Sequence, residues 1–538
     1  MAGASIHGVE LVFLLLLLFV VAFASLARKM QLPYPIVLVI AGLLLSFIPG
    51  IPKISLNPDL IFLAVLPPLL YAAAWFTSWR DFSYNIVSIL SLAFGLVGFT
   101  VLGVAQAAHW TFAGFDWRLG FVLGAVVATT DAIAATSIAK RIGLPQRIVD
   151  ILEGESLVND ATGLLALEFG VAMVVQGQTP TVTSGLFRLI YLTTIGIGVG
   201  LVIALIVEQL HRRLDDGPIE IILTIMVPYA AYLAAEEAHA SGVFAVVVCG
   251  LYLGRRSNSL FSPNVRLQAY GFWNSLIFAL NGLVFVLIGL QLPFVLAGIR
   301  GYKLSSLLVF GALFSALLIA LRLVWTYPGA YVAYFVRRHL LHQNELIPSP
   351  RGIFVVGWTG MRGVIALAAA ISLPETLANG EPFPQRNLII FLTFCVILVT
   401  LVLQGLTLPW LIRVLRVASP GGPSSEEREA RRTVLETALR HLEERRNADD
   451  SGELTEALDD LVMHYQRRLA ATQDAATRDA SVPEDHTRTI TLSRQVLRIE
   501  RQTAVQLRNQ GLINDEVLRQ LERELDLSET HLEAKTQH

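Results

Sequence analysis

The chain has 538 residues, of which 54% are apolar and only 16% charged, and its mean hydropathy is +0.58. A soluble domain is usually about 25% charged, so this composition argues against a soluble enzyme and for a membrane protein. It also excludes a disordered chain, and two cysteines, Cys249 and Cys395, are too few for a disulfide scaffold. Both cysteines sit in apolar stretches and read as small buried hydrophobes. The formal net charge of −2 conceals a division. Residues 421–538 hold 17 of the 41 basic and 24 of the 43 acidic residues, net −7; the first 420 hold the other 24 and 19, net +5. The boundary falls at Ser419-Pro420-Gly421-Gly422-Pro423, a linker composition.

A helix crosses a bilayer with roughly 20 mainly apolar residues, because its backbone groups must pair internally. Thirteen such runs follow one another at about 10–27, 34–49, 58–77, 84–109, 119–139, 148–176, 186–208, 218–236, 240–254, 268–292, 304–336, 352–373 and 387–412. The first run reads as a retained helix rather than a cleaved leader: no Lys or Arg precedes it, and Arg28-Lys29 follow it, the reverse of a leader's charge order. With the N-terminus outside and helices alternating, sixteen Lys/Arg fall in inside loops and six in outside loops. That matches the positive-inside rule. An odd helix count leaves the acidic tail in the cytoplasm.

Ionisable residues inside membrane spans are costly and mark function. Here they concentrate. The fifth run carries Thr129-Thr130-Asp131. The sixth carries Glu153 and Glu155-Ser156-Leu157-Val158-Asn159-Asp160, with Glu168 beyond. The eleventh carries Arg322, and the twelfth Thr359-Gly360-Met361-Arg362-Gly363. Residues four apart share a helix face, so Ser156 lies one turn from Asp160, and Glu155 one turn from Asn159. A hydroxyl, an amide and two carboxylates at one depth form an all-oxygen site, suited to a hard cation such as Na+ and unlike a Cys/His zinc site. The plainer alternative is a polar seam between packed helices.

Thr129-Thr130-Asp131 is helix-poor, and glycines flank the charge at Arg362. Both runs read as interrupted helices, whose unwound backbone lines a polar cavity. Six helices, a linker helix and six more place these two runs fifth in each half, the mark of an inverted-repeat transporter. Half-helix ends carry partial charges, which Asp131 and Arg362 are placed to offset. The expected fold is therefore an all-α polytopic membrane protein. It has about 13 transmembrane helices in two inverted six-helix repeats, with crossed broken helices (fifth and twelfth), plus a cytosolic helical tail. The domains are 1–416 in the membrane, 417–425 as linker and 426–538 as tail.

These residues resemble the monovalent cation/proton antiporter-1 family of bacterial NhaP-type and animal NHE-type sodium/proton exchangers. The carriers are Glu155-Ser156-Leu157-Val158-Asn159-Asp160-Ala161-Thr162, Thr130-Asp131 and Gly360-Met361-Arg362-Gly363, supported by Leu66-Pro67-Pro68-Leu69-Leu70 and Asn281-Gly282-Leu283-Val284-Phe285. The resemblance covers roughly residues 10–416. It implies a homodimer in the plasma (inner) membrane with a dimerisation region and an ion-carrying core. It implies that Asp160 binds cation and proton in turn, with Ser156 and the Thr130 backbone or hydroxyl as further Na+ ligands. Asn159 and Asp131 would hold the crossed helices, and Glu155 would pair with Arg362. Many bacterial members carry an acid shortly after the Pro-Pro of the third helix. Here Pro67-Pro68-Leu69-Leu70-Tyr71-Ala72-Ala73-Ala74 has none, so the site has one ligand fewer or recruits another residue, and the choice among Na+, Li+ and K+ stays open.

A buried carboxylate that carries a proton or a cation, never both, needs no cofactor and no covalent chemistry. One such carboxylate, with Asn159 beside it, suggests electroneutral 1:1 exchange by alternating access, serving pH and sodium homeostasis; Glu155 nearby leaves the count open. A gated cation channel is the alternative from another class. A P-loop, dinucleotide fingerprint or nucleophile elbow is lacking, and nothing points to nucleic acid. His109, His239 and Trp75, Trp79, Trp110 and Trp117 lie near span ends, as interface residues do. The tail starts at Ser424-Ser425-Glu426-Glu427 and predicts helices at about 426–447, 453–473, 488–510 and 514–526. Leu435, Leu439 and Leu442 share one face, Leu454, Leu458 and Leu461 another, and Gly511–Asp515 makes a turn. Either a solvated extension or a regulatory, dimer-supporting domain fits.

Overall fold

The computed structural model describes residues 6–417 apart from 49–55, 112–113, 176, 178–181, 215, 300–302, 344–346 and 378; beyond them it describes 425–447, 455–477 and parts of 495–529. The linker at 418–424, the turn at 511–515 and most of the last predicted helix lie outside the described residues. The chain divides into two compact units, Met1–Ser419 and Pro420–His538.

The first unit is helical, with an isolated bridge between Thr376 and Pro382 as its only β pairing among the described residues. Ten described segments are long and apolar enough to cross a membrane. The other three predicted runs correspond to Tyr34–Leu45, a short apolar helix, to Gly242–Leu260, and to a pair of short helices, Pro350–Trp358 and Val364–Ile371. The fifth run is likewise two helices, Trp117–Ala128 and Ala132–Ile142.

Each interruption has a local cause. Thr129 is extended (φ −64°, ψ 139°), and Asp131 caps the second half-helix by accepting from the Ile133 amide at 2.8 Å. The third run bends differently. A π-helical turn at Ile61–Val65 precedes Pro67 and Pro68, which cannot donate to the turn behind them. The Ala64 carbonyl freed in this way accepts from the Tyr229 hydroxyl at 3.0 Å, on helix Gly217–Glu237. A second π turn, Ser91–Leu96, gives up the Ser91 carbonyl to the Trp325 indole (3.1 Å) and the Ala93 carbonyl to Thr162 (2.6 Å). In a bilayer an unpaired backbone group costs several kcal/mol, so these tertiary donors are conditions for the irregular turns.

In the second unit, helices Ser425–Asn447 and Thr455–Thr477 pack together. Leu435 is buried as predicted, but on the second helix Val462 is buried and Leu461 is 45% exposed. The half-buried residues there are Leu458, Tyr465 and Leu469. The stripe steps by four residues from Leu458, so it turns Val462 inward rather than Leu461.

Candidate ion-binding site

The two interrupted helices meet at their breaks. The Asp131 amide donates to the Met361 carbonyl at 2.9 Å, joining the unwound segments directly. A side chain at residue 363 would meet Asp131 Oδ2 and Cβ at 2.6 Å, so the close approach requires glycine there. Arg362, 2% exposed, donates through Nε to the Val127 carbonyl (2.6 Å) and through Nη1 to the Gly360 carbonyl (2.9 Å). Its backbone amide donates to the Thr400 hydroxyl at 3.1 Å. The guanidinium thus sits on the C-terminal carbonyls of a half-helix, where partial negative charge gathers.

Helix Gln146–Val175 passes alongside and supplies the other polar groups. The Ser156 hydroxyl donates to the Thr130 carbonyl (2.9 Å) and accepts from the Ala132 amide (3.3 Å), bridging the first break. The Thr130 hydroxyl donates to Glu155 Oε1 (3.1 Å) and accepts from the Asn159 amide. Ser156 Oγ and the Thr130 carbonyl each keep an acceptor lone pair beyond these bonds. Asn159 Oδ1 and Thr129 Oγ1 are buried oxygens that find no hydrogen-bond partner among the described residues.

Glu155 is 1% exposed and forms a forked pair with Arg322, at 2.5 Å from Nη1 to Oε1 and 2.8 Å from Nη2 to Oε2. This corrects the pairing with Arg362 that the family resemblance implies. Arg322, 2% exposed, enters from helix Leu304–Phe335 and also donates to the Val356 carbonyl at the end of Pro350–Trp358 (3.1 Å from Nη2). Two arginines therefore divide the work: Arg322 balances the carboxylate, while Arg362 holds carbonyls around the crossing. The sequence displays both Arg322 and Arg362 deep within predicted runs, but nothing in it chooses between the two.

Asp160 stands apart. It is 4% exposed, and among the described residues its carboxylate makes neither a hydrogen bond nor an ion pair. It faces a cavity of about 520 Å³ shared with Asp131, Ser156, Thr129 and Thr130. Glu153 also lines this cavity, on the same helix face as Ser156 and Asp160 by its spacing, and Asn274 and Asn281 face it from helix Pro263–Leu290. Leu69, Leu70 and Ala73 line its third-helix wall, in the stretch after Pro67-Pro68 that holds no acid. Asp160, Ser156, Thr130 and Asp131 are thus brought to one cavity, while Asn159 and Glu155 lie behind it in the network. Glu153 and the two asparagines were not singled out as ligands from the sequence. The spacing Glu153–Ser156–Asp160 was the available signal.

Known proteins resemble this chain along most of its length. The model of the family described as sodium/hydrogen exchanger, transmembrane, matches residues 14–414. An uncharacterised Na+/H+ exchanger of Mycobacterium tuberculosis is 35% identical, over 95% of this chain and 94% of its own. A sodium, potassium, lithium and rubidium/H+ antiporter of Bacillus pumilus is 33% identical, over 82% of this chain and 66% of its own. The sodium proton antiporter MjNhaP1 of Methanocaldococcus jannaschii shares the fold, with a TM-score of 0.57 at 20% identity over 75% of this chain and 97% of that one.

Proposed function

The chain belongs to the sodium/hydrogen exchanger family, and from that premise we propose that it exchanges one Na+ for one proton across the membrane, with Asp160 as the carrier that both share. The observation that carries this reading is the contrast among the acids at the crossing. Glu155 has Arg322, and Asp131 has the Ile133 amide. Of these three, Asp160 alone has no partner among the described residues, and it faces the cavity. An isolated buried carboxylate cannot stay charged at low cost, so it holds a proton or a metal cation. Ser156 Oγ and the Thr130 carbonyl supply neutral oxygens beside it, a donor set that suits a hard monovalent ion. Asn159 and Asp131 keep the crossing in shape. Li+ and K+ are the competing cargoes, and the Bacillus pumilus relative is named for both as well as for Na+ and Rb+.

In this reading the chain is a transporter and not an enzyme, a multi-pass protein of the plasma membrane working as a homodimer. Thirteen helices in two inverted repeats, an outside N-terminus and a cytoplasmic tail complete the topology. The core carries the loaded site from one side to the other, and the exchange serves pH and sodium balance. The test is cation-induced proton release from purified protein, measured for Na+, Li+ and K+. Asp160→Asn keeps the shape and removes the exchangeable charge, so release should vanish while the protein still folds. Undiminished release would move the carrier role to another carboxylate, Glu153 first.

A further inference from the structure

Asp160 is approached from two sides. The 520 Å³ cavity reaches it from the end of the bundle marked by Phe76, Glu153 and Tyr270, next to the Arg80, Arg147 and Arg266 loops. A second cavity of about 370 Å³ enters from the opposite end, where Glu168, Arg188, Glu236 and His239 stand at its polar wall, Glu168 and Arg188 forming an ion pair. Its apolar floor includes Phe62, Ala161 and Leu164. Leu164 lies one turn beyond Asp160 on the same helix, about 6 Å along its axis. Phe62 directly follows Ile61, which lines the first cavity. Both residues are half-buried, and both pack against each of the two apolar clusters into which the membrane unit divides. Phe62 and Leu164 thus stand on the wall of the second cavity, next in the chain to Ile61 and one helical turn from Asp160, which line the first.

We propose that Phe62 and Leu164 form the outer gate of the transport path, and that the 370 Å³ cavity is its outer vestibule. Two large apolar side chains exclude water over the one turn that separates Asp160 from the far side, and an ion cannot cross a dry layer without losing its solvation. Phe62 sits on the π-helical turn Ile61–Val65, whose backbone is irregular before Pro67 and Pro68. A small shift of that turn against helix Gln146–Val175 opens the layer. With Glu168 balanced by Arg188, Glu236 is the acid left at the vestibule wall to favour cations over anions there. This inference rests on the proposed role of Asp160 for its meaning, but its geometry can be tested without that role.

In a chain carrying Cys249→Ala and Cys395→Ala, single substitutions Glu236→Cys, Leu164→Cys and Asn274→Cys are exposed to a membrane-impermeant thiol reagent from each face of sealed vesicles. Glu236→Cys and Leu164→Cys should react from one face and Asn274→Cys from the other, at rates at least tenfold apart between faces. The same pattern should persist in the Asp160→Asn background, which separates the gate from the carrier. Adding Phe62→Ala should make Leu164→Cys reactive from both faces. Phe62→Ala alone should raise cation-independent proton leak about tenfold in proteoliposomes, and Phe62→Leu should keep coupling. Reaction of Leu164→Cys from the Asn274 face in the parent would overturn the proposal. So would a folded Phe62→Ala protein that holds a proton gradient as tightly as the parent. The parent labelling decides the matter even where Phe62→Ala does not fold.

Discussion

Removing Arg322 should destabilise the protein through one identifiable loss. Its guanidinium holds Glu155 by two charge-assisted bonds of 2.5 and 2.8 Å, with both side chains at 2% exposure or less. In Arg322→Met the Glu155 carboxylate keeps only the Thr130 hydroxyl at 3.1 Å. Leaving one buried charge without its partner costs about 3–5 kcal/mol. Glu155→Gln should cost a similar amount by stranding Arg322. In the double variant no charge is stranded, and the main remaining loss is the Val356 carbonyl, about 1–3 kcal/mol. The coupling energy is then about 3 kcal/mol or more, well beyond the few tenths expected of independent sites. The parallel cycle of Glu155→Gln with Arg362→Met should show less than about 1 kcal/mol, because Arg362 is bound to carbonyls. Unfolding midpoints of the purified proteins in a mild detergent measure both cycles. Additive losses at 155 and 322, or stronger coupling at 155 and 362, would refute the assignment of the pair.

Three further outcomes follow from the same geometry. If proton and cation share Asp160, apparent cation affinity should weaken as pH falls, approaching tenfold per pH unit where the empty site is mostly protonated, and isothermal titration at several pH values checks it. Ser156→Ala removes one neutral ligand and the bridge between the Thr130 carbonyl and the Ala132 amide; at about 1 kcal/mol for such a bond, cation affinity should fall roughly five- to tenfold with exchange retained. Gly363→Ala places a methyl group 2.6 Å from Asp131, so it should abolish exchange by separating the breaks, whereas Gly198→Ala, on an exposed face of helix Val182–His211 with open space around it, should leave transport unchanged in vesicle assays.

Much of this fold was legible because the bilayer enforces it. Runs of apolar residues long enough to cross must be helical, and a charged or glycine-flanked step inside one must be an exception with a reason. Thr129-Thr130-Asp131 and Gly360-Met361-Arg362-Gly363 announced the breaks in that way. What the chain order could not provide was pairing across it. Glu155 lies 167 residues from Arg322 and 207 from Arg362, and both arginines sit in apolar surroundings. The choice depends on which guanidinium finds free carbonyls first, a matter of where two half-helices end. The π turns were likewise hidden. Pro67-Pro68 signals a bend, but the Tyr229 hydroxyl that satisfies the Ala64 carbonyl belongs to a helix far along the chain. In the tail, Leu461 and Val462 are equally apolar, and only the facing helix decides which one turns inward.

With Asp160 as the proposed carrier, the charges at the crossing also bear on the stoichiometry. Five ionisable side chains converge there: Asp131, Glu155, Asp160, Arg322 and Arg362. With all five ionised their sum is −1, and one proton or one Na+ on Asp160 brings it to zero. A core that crosses a low-dielectric barrier does so at least cost when it is neutral, so both loaded forms can move and the empty form resists. On that proposal the asymmetry would turn binding into obligatory exchange, because the unloaded carrier would be the one species that stalls. Each full cycle then moves no net charge. The rate of exchange in proteoliposomes should therefore be unchanged when the membrane potential is clamped at zero or at a large negative value. A rate that follows the potential would mean a second titrating group travels with Asp160. Glu153, on the same helix face and lining the same cavity, is the group to remove next; if Glu153→Gln restored indifference to voltage, the charge count would have to include it.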